Sequence, residues 1–197
     1  LLQLGQRTPE GFKFYADSLV HTKLNFLNAN AKNLDPDFVT WQTAEIRFEW
    51  ETFKLNYPVW FYGMRGIENK ELPVDSSYYN FLQKINLNQE AYLESSQYLN
   101  FLKYYFMREL RKTGKQLSAT DLYSYAALLF QGKTLQVFRL HLWSDLMQYG
   151  NIADAQQLYP VVKKELTQVK GYKELEYIYQ EKLPYSIGSD AIPFTLK

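Results

Sequence analysis

Cysteine is absent from the chain, which removes thiol catalysis, disulfides and thiolate metal sites from this sequence. The absence does not separate a reducing from an oxidising compartment. Charge of one sign is missing too: 22 basic and 21 acidic residues leave a net charge of +1. No global field therefore steers nucleic acid or an anionic membrane to it. No apolar run reaches the roughly 18 residues of a membrane-spanning helix. Leu1–Leu4 is too short for a signal-peptide apolar region, and the chain opens on Leu1 rather than Met, so the N-terminus reads as trimmed. Glycine and proline are scarce, 9 and 7 in 197 residues, and most fall between periodic segments.

Aromatic side chains are plentiful. The 17 Tyr, 13 Phe and 4 Trp, within a hydrophobic share of 46%, exclude a disordered tail or linker. A compact chain of this length buries about 70% of its unfolded surface and needs no disulfide or metal staple.

The periodicity is helical. Thr8-Pro9-Glu10 is a start signal, followed by Val20, Leu24 and Leu27, and that helix is expected to run out near 28–33. Asp35-Pro36-Asp37 repeats the signal, and Trp41, Ala44, Phe48 and Leu55 lie on a stripe expected to end before Pro58. Tyr57–Val74 then reads as a connection with at most one short helical turn after Pro58, and Asp75 as the cap of a short helix through Leu82. Asn88 is a plausible cap for a segment carrying Leu99, Leu102, Phe106 and Leu110 up to Gly114. Ser118 to Asp121 opens another helix. Leu135, Phe138, Leu142 and Leu146 give a stripe up to Gly150, and Ala155, Leu158, Val162 and Leu166 give one after Asn151, with Pro160 expected to kink or split it. The last helix, carrying Leu175, Ile178 and Leu183, ends at Pro184. Period-two alternation is short and isolated. The expectation is an all-α domain over 1–183, an irregular bundle or array of antiparallel helical hairpins, with a short extended tail over 184–197. The helix pairs after Asp121 have a repeat-like rhythm, but the small-residue pattern of tetratricopeptide stacking is missing.

Chemistry-bearing constellations are sparse. His21 with Asp17 and His141 with Asp145 each share a helix face, which suits a hydrogen bond better than a metal. Glu45 and Glu49 are four apart with no carboxylate placed opposite them, so they read as a solvated polar face rather than an acid–base pair. Arg108, Arg111, Lys112 and Lys115, near Tyr104 and Tyr105, complement a helix C-terminus more readily than a nucleic acid. No nucleophile elbow, phosphate loop or dinucleotide fingerprint occurs. The chain is expected to be non-catalytic and to use no cofactor or metal. If it displays a partner surface, the candidates are the loop aromatics Trp60, Phe61 and Tyr62 with Tyr104 and Tyr105, although loop aromatics more often bury themselves.

The end of the chain changes character. Gly188-Ser-Asp-Ala191-Ile-Pro193-Phe194-Thr195-Leu196 resembles the G-x-x-A-P-x-F-x-L opening of thioredoxin-like proteins of the TlpA and peroxiredoxin-related type, with Ile192 moving the proline one place later. The helical, Tyr- and Asn-rich residues 8–183 are similar in texture to the region preceding that domain in Bacteroidetes cell-envelope members. The resemblance implies a helical accessory domain of a periplasmic or cell-envelope thiol-disulfide oxidoreductase, shaping substrate access to a redox domain beyond position 197. Its partners would be that downstream domain and protein or peptide substrates. The alternative is a free-standing helical scaffold that holds a peptide or partner helix.

Overall fold

A computed structural model of the chain describes residues 6–67, 70–150 and 152–183. The expected tail over 184–197 and the start signal at Asn151 lie outside the described residues. Among those described, the structure is all-α, with α1 (Pro9–Asn30), α2 (Pro36–Gly63), α3 (Ser96–Thr113), α4 (Ala119–Leu129), α5 (Gly132–Tyr149), α6 (Ile152–Glu165) and α7 (Tyr172–Lys182) joined by turns and short 3-10 segments. They form two compact units, Leu1–Thr113 and Gly114–Lys197.

In the first unit both long helices begin as their start signals require. The Thr8 hydroxyl accepts from Gly11 N–H and the Asp35 carboxylate from Asp37 and Phe38 N–H, each cap preceding a proline in the first turn. Phe12 stacks on Tyr57 with ring centroids 4.0 Å apart, and Lys23 meets Glu49, so α1 and α2 run antiparallel. The α2–α3 pair departs from the expected antiparallel array. Phe48 packs on Phe101 and Trp60 on Tyr104, which makes these two helices parallel. A parallel pair needs a long return, supplied here by residues 64–95. Within that return the 3-10 segment Ser76–Lys84 touches all three helices: Lys13 donates to the Tyr78 carbonyl, the Lys54 ammonium lies 4.8 Å from the Phe81 ring centre, and the Arg108 guanidinium lies 3.9 Å from that of Tyr79.

The expected stop before Pro58 is not observed, because α2 continues to Gly63. Pro58 has no N–H to offer the carbonyl of Lys54, four residues earlier. The buried Tyr78 hydroxyl donates to that carbonyl instead, at 2.8 Å. Burial pushes the Tyr78 phenol pKa up, so it stays protonated. Tyr78→Phe is therefore expected to cost about 1–3 kcal/mol by urea unfolding. Restoring a backbone donor with Pro58→Ala should recover part of that loss in the double variant and little alone.

Asn88 does not start α3 either. Its N–H donates to the Asn86 side chain, and the Tyr98 hydroxyl donates to the Leu87 carbonyl while accepting from Gln89 N–H, fixing the stretch as turns. Ser95 caps α3 instead, its hydroxyl accepting from Tyr98 N–H.

In the second unit, a helix opens at Ser118–Asp121 as expected, and the two residues form a capping box. Ala155, Leu158, Val162 and Leu166 are buried as the stripe predicts, and α6 runs unbroken past Pro160. The α5 stripe is rotated from expectation: Phe138 is buried as expected, but Leu135, Leu142 and Leu146 are half-buried, and Leu140, Trp143 and Met147 are buried in their place. Trp143 sets this register, with Tyr179 at 5.2 Å, Tyr159 at 5.9 Å and Tyr172 at 6.4 Å between ring centres. Its indole N–H donates to the Ala155 carbonyl. The hydroxyls of Tyr159 and Tyr172 both donate to Glu176 and hold its carboxyl below the usual range. Thr134 on α5 is fully buried with its hydroxyl unpartnered. Thr134→Val keeps the shape and removes the stranded polar atom, so thermal unfolding should move up or stay level.

Candidate interaction cleft

Two antiparallel helices leave a groove wherever their facing side chains diverge. Toward the turn that joins α1 to α2 this groove becomes a cleft of about 750 Å³, within the size range of ligand and peptide sites. Thr22, Lys23, Phe26, Leu27 and Asn30 line it from α1, with Leu34 at the turn, Phe38, Gln42, Glu45, Ile46 and Glu49 from α2, and Gln97 from α3. The five α2 residues share an arc of about 100°. Lys54, which meets the 3-10 segment, lies well outside that arc, so Ser76–Lys84 packs on a different face of α2 from the cleft.

The floor is apolar and buried, with Leu27 and Ile46, and the lip is apolar and exposed. Phe26 is 75% exposed, Phe38 43% and Leu34 38%. The polar residues around them are mostly committed. Lys23 and Glu49 form an ion pair across the cleft at 3.1 Å. Glu45 accepts from the Ser95 hydroxyl at 2.8 Å and from Gln97 N–H at 3.3 Å, placing a carboxylate at the N-terminus of α3 where the helix dipole favours it. Glu45 and Glu49 are thus a positioning contact and an ion pair rather than a free acidic face. Glu45→Ala is expected to cost about 1–2 kcal/mol and to speed amide exchange over 95–98, with Glu45→Gln losing less.

The five aromatics singled out in the sequence fall into separate groups. Trp60 and Tyr104 meet edge-to-face at 5.6 Å, both half-buried. Phe61 is buried beside Tyr57 and Tyr62, with the Arg65 guanidinium 4.0 Å from its ring centre. Tyr62 is half-buried under Lys70. Tyr105 contacts Phe101 and lines a small polar pocket of about 280 Å³ with Tyr79, Arg108 and Lys112. Both cations of that pocket are engaged by one carboxylate, Glu109, with Arg108 at 2.6 Å and Lys112 at 2.7 Å. His21 pairs with Asn25, and Asp17 turns away from it to Lys54. Among the described residues no three metal-ligating side chains converge, and no helix is long and apolar enough to cross a membrane.

The residues that sequence reasoning missed are Phe26, Leu34 and Phe38. The available signal was position: Phe26 and Phe38 stand off the core stripes through Leu27 and Ala44, so neither has a place in the core. Comparison of the chain with protein-family models, with curated proteins and with solved structures finds no match in any of the three.

Proposed function

We propose that the chain is a non-catalytic helical interaction domain that acts through the α1–α2 cleft, and that it is the accessory domain of a cell-envelope thiol-disulfide oxidoreductase. The observation that carries the interaction role is the cleft: a groove of about 750 Å³ whose lip presents Phe26, Leu34 and Phe38 to solvent. Exposed apolar surface of that kind marks contact sites. The oxidoreductase assignment rests on the resemblance at Gly188–Leu196. The division of labour has a physical basis: a reactive thiolate needs an electropositive, partly exposed setting of its own, and a cysteine-free helical neighbour restricts what reaches it.

Two results test the reading. The reading frame should continue past Lys197 into a strand and a Trp-Cys-x-x-Cys motif. In that longer protein, removing residues 1–183 should change the reduction rates of protein partners unequally while leaving a small disulfide such as oxidised glutathione reduced as before. Equal rates for every protein partner would sink the accessory role. The cleft itself also favours a free-standing scaffold, and a stop codon directly after Lys197 would select that reading.

A further inference from the structure

The polar pocket of about 280 Å³ lies between the 3-10 segment Ser76–Lys84 and the C-terminal half of α3, and it shares no residue with the α1–α2 cleft. Its charges do not balance. Glu109 accepts from Arg108 at 2.6 Å and from Lys112 at 2.7 and 2.8 Å, so two cations stand against one lining carboxylate and one positive charge is left over. Asp75, at the start of the 3-10 segment, is turned to that segment's first turn, where it accepts from Ser77 N–H. Arg108 also has donors to spare. Its guanidinium is held 3.9 Å from the Tyr79 ring centre, and Glu109 engages Nη1 alone, so Nε and Nη2 have no partner among the described residues. The Arg108 side chain is only 22% exposed, and a charge so placed attracts an anion more strongly than one on open surface.

The opposite wall supplies neutral donors. The Ser76 hydroxyl and the Asn80 and Gln83 amides line it, and none of them bonds to another described residue. A carboxylate satisfies a guanidinium with two oxygens in one plane and has none left for the far wall. A phosphoryl group presents three acceptor oxygens in different directions. The pocket is smaller than the sites of drug-sized ligands, so it takes a phosphoryl group with a short carbon stem and not a nucleotide. We propose that this pocket binds the phosphoryl group of a small phosphate monoester, with Arg108 and Lys112 on two of its oxygens, Asn80 and Gln83 on the third, and the stem against Leu82 and Tyr105. This site is independent of the function proposed for the cleft.

Amide NMR of the full chain, titrated with glycerol 3-phosphate and separately with sodium chloride of matched ionic strength, tests it. The Asn80 and Gln83 side-chain amides and the Arg108 Nε–H should shift saturably with the phosphate ester, with a Kd on the order of 1 mM. Arg108→Gln should weaken binding about 10-fold or more. Glu109→Gln should instead tighten it about 10-fold, because it removes the competing carboxylate and releases both cations. If far-UV circular dichroism shows that Arg108→Gln does not fold, Lys112→Gln, at an exposed position, takes its place and should also weaken binding. No saturable shift up to about 20 mM ester overturns the proposal. So do equal shifts with chloride, or an ester affinity that Glu109→Gln leaves unchanged or lowers. Inorganic phosphate separates the free ion from the ester: it should bind more weakly, and equal binding would overturn the assignment of a monoester.

Discussion

Lys54→Met is expected to cost the fold about 3–5 kcal/mol, read as a lowered midpoint in urea unfolding. The Lys54 side chain is 4% exposed, and its ammonium lies 2.7 Å from Asp17 and 3.0 Å from Glu51. Asp17 reaches solvent and can rehydrate when the ammonium is lost. Glu51 cannot, because its side chain is only 11% exposed. Burial already raises the Glu51 pKa against the opposing pull of Lys54, and removing the ammonium raises it further. The sign of the pH dependence follows. An acid whose pKa is higher folded than unfolded destabilises the fold above its folded pKa, and that penalty disappears as pH falls below the unfolded value. The deficit of Lys54→Met should therefore be large near pH 8 and shrink towards about pH 4. Lys54→Met with Glu51→Gln should recover much of the loss and flatten this dependence, since an apolar and a neutral side chain leave no stranded charge. A deficit that is constant across pH would show that Glu51 is not the group left behind.

Trp143→Ala is expected to cost a similar ~3–5 kcal/mol, in the second unit. Trp143 is fully buried and is the ring on which Tyr159, Tyr172 and Tyr179 converge. Its loss removes more apolar area than any other single truncation in that core, and three tyrosine rings cannot close over the space because two of their hydroxyls are tied to Glu176. Trp143→Phe retains a ring and loses the donor to the Ala155 carbonyl, so it should lose clearly less. The tryptophans divide conveniently: Trp41, Trp50 and Trp60 lie in the first unit and Trp143 in the second. In the Ala variant far-UV circular dichroism reports the weakened helices while the remaining indoles report the first unit. Indistinguishable midpoints for the Ala and Phe variants would contradict this account of the core.

Much of the helix order was legible from local chemistry. Thr8, Asp35, Asp75 and the Ser118–Asp121 box all cap where their side chains suggested, because capping depends on a few neighbouring residues. What failed depended on distant residues. Pro58 breaks a helix unless something replaces its donor, and the replacement, Tyr78, stands twenty positions later in another element. The α5 register was set by Trp143 docking on tyrosines from α6 and α7, which outweighs the leucine stripe that periodicity selects. The parallel α2–α3 pair likewise follows from the return through residues 64–95, whose contacts no periodicity shows.

The site was less legible than the fold, for a related reason. The aromatic-dense stretch from Tyr57 to Tyr62 drew attention through composition, yet Tyr57 and Phe61 are core. The exposed aromatics of the cleft are scattered as Phe26 and Phe38 on two helices and meet only when those helices pair. Exposure is a property of packing, and a single sequence gives each phenylalanine the same hydrophobic weight.

The central claim is that the cleft is a surface in use, and Phe14 supplies the internal control. Phe14 and Phe26 stand on the same helix with exposures of 79% and 75%, but only Phe26 lines the cleft. Hydroxyl-radical footprinting of the protein inside intact cells, compared with the dilute purified chain, measures both side chains at once. The account predicts that Phe26 is protected in cells while Phe14 oxidises at an unchanged rate. Equal oxidation of the two in both settings would contradict it.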